Sequence, residues 1–370
     1  MDQIVIIGGG ILGASAAYHL SGRGRDVTLI DRKDSGQATD AAAGIICPWL
    51  SQRRNKAWYS LAKAGAAYYH ELIPMLESKG LETGYRKVGA ISIHTDPEKL
   101  AKMEERALWR REEAPEIGDL RQLDEKETVS LFPYLSNRYS SLYVSGAARV
   151  DGRMLRDALL KGAELKGLKI INGSASLQKD AEGNVEVRID GEKIEAKQVI
   201  ITAGCWAGEL ARQIGIPIEV RGQKAQIAHM KIADAETATW PVVMPPNDQY
   251  MLAFPNGKIV AGATHDDEHG MNGKPTAGGI HEVLNKALDI APALSDAEYI
   301  ETRVGFRPFT AGFLPVIGKL PDASNVLFAN GLGASGLTVG PFLGKQLAHM
   351  ALEEEVEIDV SNYAVENTLH

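Results

Sequence analysis

Three glycines and one carboxylate near the start of this 370-residue chain have the types and spacing for nucleotide chemistry: Gly8, Gly10, Gly13 and Asp31. The motif Gly8-x-Gly10-x-x-Gly13 follows a β-branched run at residues 4–7 and opens a small, helix-compatible stretch at 14–21. A second strand-like run at 26–30 ends at Asp31. In such a βαβ unit the first glycine permits a tight turn, the second lets a pyrophosphate approach the backbone, and the third lets helix and sheet pack closely. The helix N-terminus then presents unpaired N–H groups and a positive dipole end to the phosphates. Asp31 would accept hydrogen bonds from the adenosine ribose and disfavour a 2′-phosphate. The pattern predicts a dinucleotide site and does not separate NAD from FAD, because both use it.

Other reactive side chains offer less. His265 and His269 have helical metal spacing but sit in a Gly/Asp-rich turn after a strand, so no metal site is expected. The two cysteines, Cys47 and Cys205, form neither a metal-like pair nor a disulfide framework, which fits a reducing cytoplasm. Cys47 reads as a small buried thiol. The acidic stretch at 353–357 reads as a solvated helix end, and no acid/base pair stands out.

Lys and Arg number 40 and Asp and Glu 48, a formal net charge of −8. An acidic chain without a dense basic run argues against nucleic acid and against an anionic membrane surface as partners. Apolar residues make up 44% and charged residues 24%, which argues for a globular chain over a disordered one. The length suggests two or three domains, or two interleaved ones. Residues 3–22 contain no Asp, Glu, Lys or Arg, a run long enough for a membrane helix. Gly8, Gly9 and Gly10 interrupt it and no basic segment precedes it, so a buried strand and helix are expected instead.

The elements that must hold these residues follow from periodicity. Trp58, Leu61, Ala62, Tyr69, Leu72 and Leu76 mark one face of a helix over 58–77, with Gly65 on that face and Pro74 predicting a kink or early end. Thr95 and Glu98 predict a capping box, and Asp151 a cap for a helix over 153–166. Strands are predicted at 185–189, 198–202, 250–254 and 258–263, the last two joined by a hairpin at Asn256-Gly257. A helical pattern covers 276–290. A strand at 326–329, a turn at Gly331, Gly333 and Gly336, and a helix to about 352 close the chain. The fold expected is α/β: a Rossmann-like nucleotide-binding domain from discontinuous segments 1–83, 146–217 and 305–370. A second, α+β domain with an antiparallel sheet would come from 84–145 and 218–304 and bind substrate.

Taken in order, several segments resemble the D-amino acid oxidase superfamily of FAD enzymes, above all its glycine oxidase and sarcosine oxidase branch. They are 4–13, 39–48 (TDAAAGIICP), 150–151, 199–206 (VIITAGCW), 221–223 (RGQ), 250–264, 305–318 (GFRPFTAGFLPVIG) and 330–341. The match runs nearly the full length. It implies FAD, bound non-covalently, since no cysteine follows Cys205 where some relatives attach it. It implies a cofactor site of Gly8, Gly10, Ile11, Leu12 and Gly13, with Asp31 and Arg32 after the second strand. Thr39, Ala42, Ala43, Gly44 and Ile45 would line the pyrophosphate and flavin side, and Ala203, Gly204 and Trp206 the adenine–ribose part. Gly333, Ala334, Ser335, Gly336, Leu337 and Thr338 would bring backbone N–H groups and a helix N-terminus to the flavin's pyrimidine edge.

The resemblance also implies that Arg307, in Gly305-Phe-Arg-Pro308, clamps the substrate carboxylate and that Tyr250 adds a hydrogen bond. A guanidinium can grip a carboxylate in a two-point fork that fixes rotation as well as position. From the residues alone, a surface ion pair for Arg307 and an edge-strand aromatic for Tyr250 are the plainer readings. The activity implied is oxidation of the CH–NH bond of a small amino acid or N-substituted amino acid by hydride transfer to flavin N5. The imine formed would hydrolyse to an oxo acid and an amine or ammonia, and dioxygen would be reduced to hydrogen peroxide. The substrate nitrogen's lone pair supports the developing cation, so no protein base is required. Three alternatives stay open: a dehydrogenase of a 2-hydroxy acid or polyol phosphate, an enzyme passing electrons to another carrier, and a flavin- or NAD-binding subunit of a larger complex.

Two positions depart from glycine oxidases: Ala334 stands where they carry arginine, and Asp248, two residues before Tyr250, where they carry histidine. Asp248 would favour a substrate with a cationic or hydroxyl-rich substituent over plain glycine. His265 and Trp49 are further pocket candidates, with Arg53 and Arg54 after Trp49. The partners expected are an amine or amino acid and dioxygen, with no nucleic acid and no membrane. A homo-oligomer is compatible with the sequence, and the location expected is cytoplasmic.

Overall fold

The computed structural model describes all residues except Met1, Asp2, Asp234, His269 and His370. Its centre is a six-stranded sheet in the order Val316–Leu320, Ala323–Asn330, Gln198–Ile201, Gln3–Ile7, Asp26–Asp31, Lys169–Asn172. The last five run parallel, and Val316–Leu320 pairs antiparallel at the edge. Ile4, Ile6 and Leu29 point to one face and pack under the helices Ile11–Leu20, Lys56–Glu77 and Gly336–Ala351. Val5, Ile7, Ile30 and Val199 point to the other, toward a three-stranded antiparallel sheet spanning Ala175–Lys179, Val185–Ile189 and Glu192–Ile194. Strands covered on both faces read as unbroken apolar runs, which is why residues 4–7 and 199–201 carry no alternation.

An eight-stranded sheet supplies the second layer, in the order Glu298–Phe309, Arg221–Lys231, Lys258–Gly262, Tyr250–Phe254, Val242–Met244, Ala90–His94, Ser140–Val144, Leu120–Leu123. Its side chains alternate. Met251 and Ala253 face the helix Ala277–Ile290, while Tyr250, Leu252 and Phe254 face the nucleotide side. The hairpin between Tyr250–Phe254 and Lys258–Gly262 turns at Asn256 and Gly257, both at positive φ (62° and 75°), as their sequence predicts. The strand Glu298–Phe309 runs through position 305, so Arg307 rides on this sheet.

Local details explain where sequence and structure part. The helix Lys56–Glu77 starts at an Asn55 cap and passes through Pro74 without ending there. Thr95 does not cap the next helix: Asp96 does, accepting from Glu98 N at 2.9 Å, because Pro97 already occupies the first helical position. Asp151 caps the helix Gly152–Glu164 as predicted. Pro341 lies inside the helix Gly336–Ala351 and has no N–H for the carbonyl of Leu337; the Tyr69 hydroxyl donates to that oxygen instead, at 2.6 Å. Among the described residues no helix is long and apolar enough to cross a membrane.

Candidate active site

One elongated cavity runs along the carboxyl ends of the parallel strands and under the eight-stranded sheet. Ligands in open α/β sheets bind in this place because the strand ends and helix N-termini leave backbone groups unpaired there. Two helix N-termini meet it. Ile11–Leu20 begins at Gly10 and Gly336–Ala351 at Ser335, and neither has a side-chain cap or an acid in its first turn. Both positive dipole ends can therefore receive an anionic group, although at the first helix the N–H of Ile11 is already taken by Thr39.

The glycines divide by what a side chain would meet. At Gly13 a Cβ would lie 1.9 Å from the carbonyl oxygen of Gly8, and at Gly8 (φ 108°) 2.6 Å from that of Thr202. These two make the turn and the helix contact, and Gly13 does not line the cavity. At Gly10 the nearest atom is Thr39 Oγ1 at 3.4 Å, and at Gly204 and Gly336 nothing lies within 4 Å. The backbone there is bare on the cavity side. Thr39 Oγ1 accepts from Ile11 N (3.0 Å), and Asp31 anchors the turn by accepting from Gly9 N at 2.5 Å and Gln37 Nε2 at 2.9 Å. Arg32 pairs with Asp34 at 2.8 Å. A bare, uncapped, elongated cradle of this kind fits a dinucleotide.

Most of the expected cofactor residues line this cavity: Gly8, Gly10, Ile11, Leu12, Asp31, Arg32, Thr39, Ala42, Ala43, Gly44 and Ile45. Ala203, Gly204, Trp206, Gly333, Ala334, Gly336, Leu337 and Thr338 line it too. Ser335 does not; its hydroxyl accepts from Trp58 Nε1 at 3.1 Å. Trp49 also lies elsewhere: it is a core residue, 1% exposed, whose carbonyl accepts from Arg110 at 2.5 Å. Its place in a short 3-10 turn directs a large ring into the core, and not into the pocket where it was expected. Residues 173–175, Cys205, Phe306 and Ala225 line the cavity without having been expected there. Residues 173–175 follow the strand Lys169–Asn172 and could have been found from the rule that ligands sit at strand carboxyl ends. Cys205 and Phe306 fall within the segments 199–206 and 305–318 that carry the resemblance, whereas nothing in the sequence marks Ala225.

Arg307 and Tyr250 line the cavity from two strands of the eight-stranded sheet. Burial pushes the Tyr250 phenol up, while Arg307, by charge and hydrogen bond, pulls it part of the way back. Arg307 Nη1 donates to Gln223 Oε1 at 3.2 Å. Among the described residues no carboxylate lies within ion-pair distance of Arg307, so its charge meets only neutral partners. His265 and Asp248 stand nearby without lining the cavity. Burial and then Arg307 hold the His265 imidazole below its ordinary value. Asp248 is not a free charge: Lys286 Nζ lies 3.1 Å away and His265 Nδ1 3.4 Å. Burial works to raise its carboxyl, but Lys286, Gln249 and His265 outweigh burial and keep it below the usual range. The motive for a cationic substrate substituent therefore falls away, since a lysine already supplies the counter-charge. His269, the other half of the two-histidine spacing, lies outside the described residues; among those residues no cluster could hold a metal.

The parallel sheet with its glycine turn and bare cradle defines a dinucleotide-binding protein. The chain belongs to the FAD-dependent oxidoreductase family DAO, whose family model matches residues 3–350. It is 58% identical over 365 residues to the uncharacterised oxidoreductase YurR of Bacillus subtilis, covering 98% of each chain. It is 26% identical to a glycine oxidase of Bacillus licheniformis, covering 96% of this chain and 94% of that one. Among solved structures it resembles iminodiacetate oxidase from Chelativorans sp. BNC1, with a TM-score of 0.95, 43% identity and 98% of each chain covered. The protein is an FAD-dependent oxidoreductase enzyme of mixed α/β fold.

Asp31 tests the cofactor cradle. Asp31→Asn removes the charge that holds Gly9 N and Gln37 and faces the cavity. Hydrogen bonds to charged groups contribute roughly 1.5–3 kcal/mol. FAD titrated into apoprotein is expected to bind at least about 10-fold more weakly.

Proposed function

We propose that the enzyme oxidises the CH–NH bond of a small amino acid, and in particular of an N-substituted one whose nitrogen carries a further carboxymethyl-type group. The observation that carries this reading is the uncompensated guanidinium of Arg307, set beside Tyr250 at one end of the cofactor cavity. The iminodiacetate oxidase relative, at 43% identity, supports the N-substituted class.

Bound FAD supplies the hydride acceptor. Arg307 grips the carboxylate in a two-point fork, and the Tyr250 hydroxyl, hydrogen-bonded to the same guanidinium, limits how that fork can turn. Fixing the carboxylate fixes the α-carbon, and orientation is most of what a hydride transfer asks of a protein. Ala225 and Ile227, on the same face of the neighbouring strand, make that end of the cavity apolar and exclude water. With neither Asp248 nor Asp267 lining the cavity, the substrate nitrogen arrives neutral, and its lone pair supports the developing cation. Hydrolysis of the resulting imine gives an oxo acid and an amine or ammonia, and dioxygen takes the electrons to give hydrogen peroxide. FAD is held without a covalent bond: burial pushes both the Cys47 and the Cys205 thiol up to about 12, so neither is a nucleophile at neutral pH.

Anaerobic mixing of the holoenzyme with glycine, sarcosine, D-amino acids, proline isomers, carboxymethylated amines and 2-hydroxy acids tests the proposal. Bleaching of the flavin bands by N-carboxymethyl amines, with peroxide on readmitting air, is expected. Bleaching by 2-hydroxy acids alone would replace it with a hydroxy-acid dehydrogenase. Reduction without peroxide would move the electrons to another acceptor, and no bleaching by any of them would favour a flavin-binding subunit.

A further inference from the structure

Gln223 stands beside Arg307 on the neighbouring strand and on the same face of the sheet, just outside the lining of the cavity. It lies directly opposite Arg307 in the register between Arg221–Lys231 and Glu298–Phe309, is 8% exposed and does not line the cavity. Its amide makes two different bonds. Oε1 accepts from Arg307 Nη1 at 3.2 Å, and Nε2 donates to both carboxylate oxygens of Asp267 at 3.3 Å. Asp267 in turn pairs with Arg221 Nη1 at 3.1 Å. The amide's orientation is dictated by its neighbours, since a guanidinium only donates and an ionised carboxylate only accepts. Glutamate at this position would offer an acceptor to Arg307 but repel Asp267. Methionine would offer neither group a partner.

We infer that Gln223 is a positioning and selectivity residue: it aims the Arg307 fork with a neutral acceptor while tying back Asp267, and so keeps the guanidinium charge free for an anionic substrate. The physical reason is competition. A buried carboxylate next to Arg307 would satisfy that charge inside the protein, and a substrate carboxylate would then have to displace it. An amide orients the same fork and leaves the charge uncompensated. The chain Arg307–Gln223–Asp267–Arg221 thus ends its negative charge on Arg221, two residues away along the strand, and not on the substrate arginine. This inference rests on Arg307 being the carboxylate holder.

The test uses purified holoenzyme and acetate as the probe, followed by its perturbation of the flavin absorbance, with flavin content and Tm measured alongside. Gln223→Glu is expected to weaken acetate by at least about 30-fold, and Gln223→Met, which leaves Arg307 charged but unaimed, by only about 5-fold. Both should keep their flavin. Asp267→Asn, on an exposed side chain, is expected to weaken acetate about 3-fold and serves if Gln223→Glu does not fold. Unchanged acetate affinity in Gln223→Glu overturns the inference. So does an equal loss in Gln223→Glu and Gln223→Met, which would make the effect one of packing and not of charge, and so does an unchanged Asp267→Asn. Arg307→Met separates the two claims. If it leaves acetate binding intact, the carboxylate-holder reading itself fails; if it abolishes binding while Gln223→Glu does not, only the role of Gln223 falls.

Discussion

Arg307→Leu is expected to keep its flavin and lose at least about 3 kcal/mol of transition-state stabilisation, roughly 150-fold in kcat/KM. The two halves of that result have separate causes. The guanidinium touches Gln223 and Tyr250 on its own sheet, and the glycine turn and helix N-termini that cradle the dinucleotide belong to other elements. Leucine matches the stem of arginine in bulk but cannot donate, so the carboxylate loses two charge-assisted bonds and the orientation they impose. Tyr250 would also lose its charged neighbour, and its phenol, already raised by burial, would move further up. Steady-state turnover with the best amine from the anaerobic screen, together with the rate of flavin reduction, measures both consequences. A kcat/KM within about 3-fold of wild type would remove Arg307 from the substrate site.

Gly10→Val is expected to abolish FAD uptake while leaving the apoprotein folded. Gly10 has φ −67° and ψ −178°, a conformation open to any residue, and a Cβ there would approach only Thr39 Oγ1 at 3.4 Å. The branched side chain would project from the bare N-terminus of the first helix into the cradle. FAD affinity should fall at least about 100-fold, while apoprotein stability changes by no more than about 1 kcal/mol, the cost of a poorer helix cap. Gly13→Val provides the contrast. Its side chain would begin 1.9 Å from the carbonyl oxygen of Gly8, where backbone must move, so the apoprotein itself should lose more than about 3 kcal/mol. Denaturant unfolding of the two apoproteins and FAD titration measure the difference. Tight FAD binding by Gly10→Val would mean that the phosphates do not lie against this turn.

Much of the fold was legible because it depends on neighbours in sequence. The glycine spacing, the β-branched runs and the Asn256-Gly257 turn are written in backbone conformations that short-range sterics decide, and the strands at 250–254 and 185–189 stand where their pattern placed them. Errors of a residue or two arose where two local signals competed, as at Thr95 and Asp96, and the adjacent proline settled the choice. Family resemblance, not periodicity, pointed to Arg307 and Tyr250.

By itself the sequence determined a parallel βαβ nucleotide unit, an antiparallel block and an acidic chain, and its resemblance to a family pointed to an FAD oxidoreductase. Only the tertiary structure decided that Trp49 is core, that Asp248 is neutralised by Lys286, and that Arg307 faces an amide where a carboxylate could have stood. Local conformation follows from contacts within a few residues. The charge and burial of a side chain depend on partners that the fold brings from 38 positions away, as for Lys286 and Asp248, or 84, as for Arg307 and Gln223.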